Sequence, residues 1–115
     1  MPDIYQDNRS FTATRAWGAR DFAEIEGATV RLHWTDQPYI WHVNDGAEVF
    51  VVLDGAVDMK YRLDGAVEMK YRLNGAEHSV RLGPTDVFVA DVGDEHVAHP
   101  IGAARILVVE RKGSV

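Results

Sequence analysis

Apolar and polar side chains alternate along most of the chain, and clusters of Gly, Pro, Asn and Asp cut the alternation into short runs. A period of two marks strands, whose successive side chains point to opposite faces. Ala28, Val30, Leu32 and Trp34 fall on one face of such a run, with Thr29, Arg31 and His33 on the other. Glu48 to Leu53 is mostly β-branched and stops at Asp54-Gly55. Val57, Met59 and Tyr61 then oppose Asp58, Lys60 and Arg62, and Val67, Met69 and Tyr71 repeat the pattern. Glu77 to Leu82 closes at Gly83-Pro84, and Asp86 to Ala90 and Arg105 to Glu110 complete the set. Asp54-Gly55, Asp64-Gly65 and Asn74-Gly75 read as two-residue hairpin turns, because Asn or Asp followed by Gly tolerates the positive φ angles of a type I′ turn. Only Ala16 to Glu26 suggests a helical turn. Short strands at even spacing predict an all-β antiparallel sandwich or barrel, built as a single domain over residues 1–115.

Residues 53–62 read LDGAVDMKYR and residues 63–72 read LDGAVEMKYR, so nine of ten positions match and only Asp58 changes, to Glu68. A repeat architecture stacks three or more units, and no other stretch shares this period. The pair is therefore a tandem copy of one strand and its turn, either a recent duplication or a deliberate insertion, in a fold that exists without it. One extra strand would reverse the direction of every later strand in an antiparallel meander. One copy is thus expected in the barrel, and the first is favoured because Asp54-Gly55 would close the hairpin from Glu48. The other copy is expected to be extruded or swapped between chains, since near-identical copies specify register weakly and a longer loop closes at small entropic cost.

With 115 residues, 46% of them hydrophobic, the chain is large enough for one core. A net charge of −6 argues against nucleic acid or an anionic membrane as partner. Without cysteine, disulfides and thiolate metal sites are excluded. Met1 to Ser10 is polar, so no signal peptide is expected, and no apolar run has membrane-spanning length. A cytoplasmic protein is the default expectation.

The segment from Trp41 through His42, Asn44 and Glu48 to Gly55 resembles the first cupin motif, His-x-His, a spacer, Glu, six residues and Gly. The segment Asp86 to His96 resembles the second, an acidic residue, an apolar strand and Pro-x-Gly-x-x-His. The resemblance covers residues 41–99 and implies a small antiparallel jelly-roll β-barrel. It also implies a site in the barrel where His42, Glu48 and His96 hold a divalent metal such as Zn, Fe, Ni or Mn, with open positions for a ligand. Asn44 stands where the family has its second His, and its amide oxygen is a candidate fourth ligand. Asp91 replaces the Pro of the second motif, which makes that loop less rigid.

Phe50, Phe88, Trp41 and His99 are candidate pocket residues. His99 is given a supporting or surface role, because its odd offset from His96 turns it to the opposite face. The plainer readings put His78 at a barrel edge, His33 beside Arg31 on a solvated face, and Lys60, Arg62, Lys70 and Arg72 on another. Glu95 and His99 are acid-base candidates by proximity alone. Three functional readings follow: a metal-dependent cupin, dioxygenase- or isomerase-like, acting on a small polar organic molecule; a non-enzymatic binding or sensing module with the same cavity; or an engineered segment-duplication variant. The family resemblance further implies a homodimer.

Overall fold

Residues 1–43, 45–62 and 77–113 are described in a computed structural model of the chain. The strands are β1 (Gly18–Ile25), β2 (Ala28–Thr35), β3 (His42–Val43), β4 (Glu48–Arg62), β5 (His78–Leu82), β6 (Val87–Ala90) and β7 (Glu95–Arg111). All the pairings are antiparallel. No α-helix occurs among the described residues, and one turn of 3₁₀-helix spans Asn8–Ser10.

Two long strands organise the barrel. β4 and β7 pair along nearly their whole lengths, from Glu48 opposite Glu110 to Arg62 opposite Glu95. The first half of β4 is flanked by β6 and the second half by β5. The last half of β7 is flanked by β2, which carries β1, and its first half by β3. The two long strands thus bend from one wall of the jelly roll into the other. A single apolar cluster draws Phe50, Val52, Ala104, Ile106 and Val108 from one wall and Val57, Met59, Leu82 and Ala98 from the other. Each fully buried aliphatic side chain of this kind contributes about 1.5–3 kcal/mol.

The bend falls at Asp54-Gly55, which is not the hairpin turn expected from its sequence. Strand β4 continues unbroken through it, with register shifts on both sides of Asp54. Gly55 has φ 84°, and a Cβ there would fall on the carbonyl oxygen of Ala103. Only glycine fits such a position, so the dipeptide serves as a bulge that turns the strand. Asp54 is fixed by Arg105, whose Nη1 lies 3.0 Å from Oδ2.

Residues 53–62 make up the last ten of the fifteen residues of β4. The second copy, with Val67, Met69, Tyr71, Lys70, Arg72 and the Asp64-Gly65 and Asn74-Gly75 turns, lies outside the described residues, as does Asn44.

The helical expectation at Ala16 to Glu26 is overturned. Gly18–Ile25 is a strand paired with β2, and a register shift between Asp21 and Ala23 breaks its period of two. The segment before it lies across the outside of the barrel. Arg105 donates through Nε to the Phe11 carbonyl at 2.8 Å, and Tyr5 stacks on Phe22 with ring centroids 4.6 Å apart. Leu107 shares a face with Arg105 and opposes Leu32, so the fully buried Leu32 belongs to this outer layer and not to the lumen.

Candidate metal centre and cavity

Two cross-strand pairs meet in the lumen. His42 on β3 opposes His96 on β7, and their rings are 4.1 Å apart between centroids. Glu48, at the start of β4, opposes Glu110 near the end of β7. Directly opposed side chains share a face, so each pair delivers two polar groups to one place.

Glu48 Oε2 lies 3.8 Å from His42 Nε2 and 3.4 Å from His96 Nε2. One ligand atom from each of the three residues falls within 4.8 Å of the others. His96 is buried, and neither of its ring nitrogens has a hydrogen-bond partner; the Glu48 oxygen is near enough for an ion pair but off the N–H direction. The His42 Nδ1 lies 3.0 Å from the Ile40 carbonyl oxygen and donates to it, which leaves Nε2 as the ring nitrogen that faces Glu48.

The electrostatics follow from crowding. Burial, the charge of Glu48 and a hydrogen bond between the two carboxyls push Glu110 up to about 7. It therefore keeps a proton to near neutral pH and donates it to Glu48. Burial pulls His42 down, but its contact with Glu48, the Ile40 carbonyl and the charges of Glu48 and Glu110 outweigh that and raise it above its ordinary value. Burial lowers His33, against the opposing effect of its bond to the Trp17 carbonyl.

A cavity of about 380 Å³ opens over this group, within the range of small-molecule sites. Its wall includes Phe50, Ala98 and Val108 beside Trp17 and Tyr39, with Arg15, Arg31 and His33 as further polar groups. Of the four candidate pocket residues, Phe50 lines it. Phe88 stands behind His96, with ring centroids 5.8 Å apart, and is absent from the lining. Trp41 is also absent; it lies under the Arg62 guanidinium, 4.0 Å from the ring centre. His99 opposes Asp58 on β4, outside the lining, on the face turned away from His96. Glu95 pairs with Arg62 at 3.3 Å.

His33 and Arg31 correct the sequence reading. They oppose Ile106 and Val108, both buried lumen residues, so the polar face of β2 is the inner one. Glu110 was legible but missed: Ile106, Val108 and Glu110 keep one phase, so the third shares the lumen face with the first two.

Neither a family model nor any curated protein matches the chain. Solved structures do, and they define its class: the chain has the cupin fold. It is similar to a cupin-2 domain protein from Shewanella frigidimarina, at 21% identity, 87% coverage of this chain, 85% of that one and a TM-score of 0.69. A cupin superfamily protein from Desulfitobacterium hafniense gives 11% identity, 96% and 92% coverage and a TM-score of 0.72. A hydroquinone 1,2-dioxygenase in complex with Fe3+ gives 13% identity over 87% of this chain but 29% of that longer one, with a TM-score of 0.70. No helix among the described residues is long and apolar enough to cross a membrane.

Proposed function

We propose that the protein binds a divalent metal through His42, Glu48 and His96, and a small polar organic ligand in the cavity above it. The observation that carries this is the buried His96, whose Nε2 lacks a hydrogen-bond partner while facing a carboxylate and a second imidazole. A buried polar atom left unpaired costs about 1–3 kcal/mol, and a cation removes that cost. The donor set fits: two nitrogens or oxygens each about 2.1 Å from one ion stand about 3.0–3.4 Å apart at ordinary bond angles, near the 3.4 and 3.8 Å found here. Two imidazoles and a carboxylate suit Zn, Fe, Ni or Mn.

A bound ion would supply Lewis acidity, polarising a ligand carbonyl or activating water or dioxygen. The chain's own groups have separate tasks. The Ile40 carbonyl fixes the His42 tautomer. Glu110, directly opposite Glu48 on the paired strand, orients it. Phe50, Val108 and Tyr39 keep bulk water from the ligand. The dioxygenase solved with Fe3+ supports a metal in this fold and leaves the reaction open. A homodimer stays part of this reading, with Val87 and Val89, each 55% exposed on β6, as apolar surface available to it.

Elemental analysis of untagged protein tests the site. One equivalent of a transition metal is expected in the parent, and a small fraction of that in His42→Ala, Glu48→Ala and His96→Ala. Equal metal in all four proteins would remove the assignment. Metal without turnover of any oxidisable or isomerisable compound favours the binding-module reading over the enzyme.

A further inference from the structure

The mouth of the cavity carries a feature that the metal reading does not use. Residues 15–18 form a tight turn closed by Gly18 N–H donating to the Arg15 carbonyl at 3.1 Å. Trp17 sits in it at φ 61°, a left-handed conformation that costs a non-glycine residue about 1 kcal/mol or more. At Gly18 a Cβ would collide with the Ala13 side chain, so the turn is built for glycine there. The strained turn is held from two sides. The Trp17 indole N–H donates to the Gln37 carbonyl at 2.9 Å, and the Trp17 carbonyl lies 3.0 Å from His33 Nδ1. This construction hangs Arg15, Ala16 and Trp17 over the cavity.

Arg15 has no side-chain partner among the described residues, whereas Arg31, also in the lining, spends one edge on Asp21 at 2.6 Å. An unpaired guanidinium with a second one on the same cavity is a fork for a carboxylate. Between this cationic mouth and the metal candidates the wall is aromatic. Trp17 meets Tyr39 at 5.2 Å and Tyr39 meets His42 at 5.1 Å, each edge to face. A single ring therefore separates the turn from the histidines. The opposite end carries the carboxyls Glu48 and Glu110 and no lysine or arginine, so the cationic partners for a ligand carboxylate in this lining stand at the mouth.

Building on the metal reading, we propose that the cavity takes a small planar monocarboxylate, with Arg15 as its specificity-determining contact, Arg31 as a second cation, and the ligand's far end directed at the His42–Glu48–His96 group. The carboxylate end is read by arginine, the body by Trp17 and Tyr39.

The test uses 4-fluorobenzoate and 4-fluorobenzamide, which match in size and differ in charge, followed by ¹⁹F NMR titration. It is run on chelator-treated and on Zn-loaded full-length protein. The benzoate is expected to bind at least tenfold more tightly than the amide in both forms. Arg15→Gln should erase most of that preference while leaving the amide unchanged and the metal content at the parent level. Arg15→Lys should restore part of it. Arg81→Gln, which removes the same charge outside the cavity, should leave the preference intact. Equal binding of the two probes, no binding of either, or an Arg15→Gln effect matched by Arg81→Gln overturns the proposal. Failure of the chelator-treated protein to take up Zn, with the benzoate preference intact, would overturn the metal reading instead.

Discussion

Replacing Glu110 by Gln isolates the carboxyl pair at the heart of the lumen. The side chain keeps its shape and can still donate to Glu48, but it no longer titrates. In the parent, Glu110 is pushed up to about 7 from an ordinary 4.5, by burial first and then by the charge of Glu48. The folded state therefore binds this proton more tightly than the unfolded chain does. Between those two values the folded protein holds more protons, so its stability falls as pH rises and the loss is complete above pH 7. A shift of this size corresponds to about 3 kcal/mol if undiminished. Glu110 is only half-buried, and solvent screening reduces the figure to about 1–2 kcal/mol. His42, also raised, adds a loss of the same sign as pH climbs through its folded value. Urea unfolding of chelator-treated protein from pH 5 to pH 8 reads the effect. The parent should lose about 1–2 kcal/mol more than Glu110→Gln across that window, and the variant should be the more stable protein at pH 8. Parallel curves for the two proteins would mean that Glu110 ionises like a solvated carboxyl and shares no proton with Glu48.

Two further outcomes follow from the fold. Gly55→Ala forces a side chain into the Ala103 carbonyl at φ 84°, so thermal unfolding should show a loss of about 2–4 kcal/mol, against no measurable change if the bend were an exposed turn. Deleting residues 63–72 should leave a folded protein with the parent's metal content and about 1 kcal/mol more stability; an unfolded deletion variant would show that the doubled segment carries part of the core.

The period of two exposed β2, the second half of β4 and the end of β7, because there one face is lumen and the other is not. It failed where neighbours overrode it. In β1 the register shift between Asp21 and Ala23 breaks the alternation, and the Ala and Glu content imitates a helix. At the start of β7, His96, Val97 and Ala98 are all buried, so no alternation exists to be read. Arg31 and His33 break the rule that the polar face of a strand meets solvent, because one end of this lumen is itself polar. Motif spacing did better with the site, since His42, Glu48 and His96 are set by strand positions that the two motifs encode. Arg15 and Trp17 carry no such signal. Their place depends on a turn whose closure by Gly18 is visible only in three dimensions.

The register around the doubled segment explains how the site can coexist with it. Tyr61 pairs with His78, and Arg62 reaches Glu77 at 3.5 Å. The chain therefore leaves β4 and re-enters β5 at one place, with both strands already antiparallel. Remove residues 63–72 and Arg62 is followed directly by Leu73-Asn74-Gly75-Ala76-Glu77. In that shorter sequence, extending the Tyr61–His78 register would pair Arg62 with Glu77 and leave Asn74-Gly75 as a two-residue loop. That dipeptide is the preferred type I′ turn. The undoubled sequence is therefore expected to close this hairpin in the register that β4 and β5 already hold. A slip of one residue would have turned Val57 and Met59 out of the core, yet both are fully buried. The strand pairings that bring His42, Glu48 and His96 together hold in the chain that carries the ten additional residues.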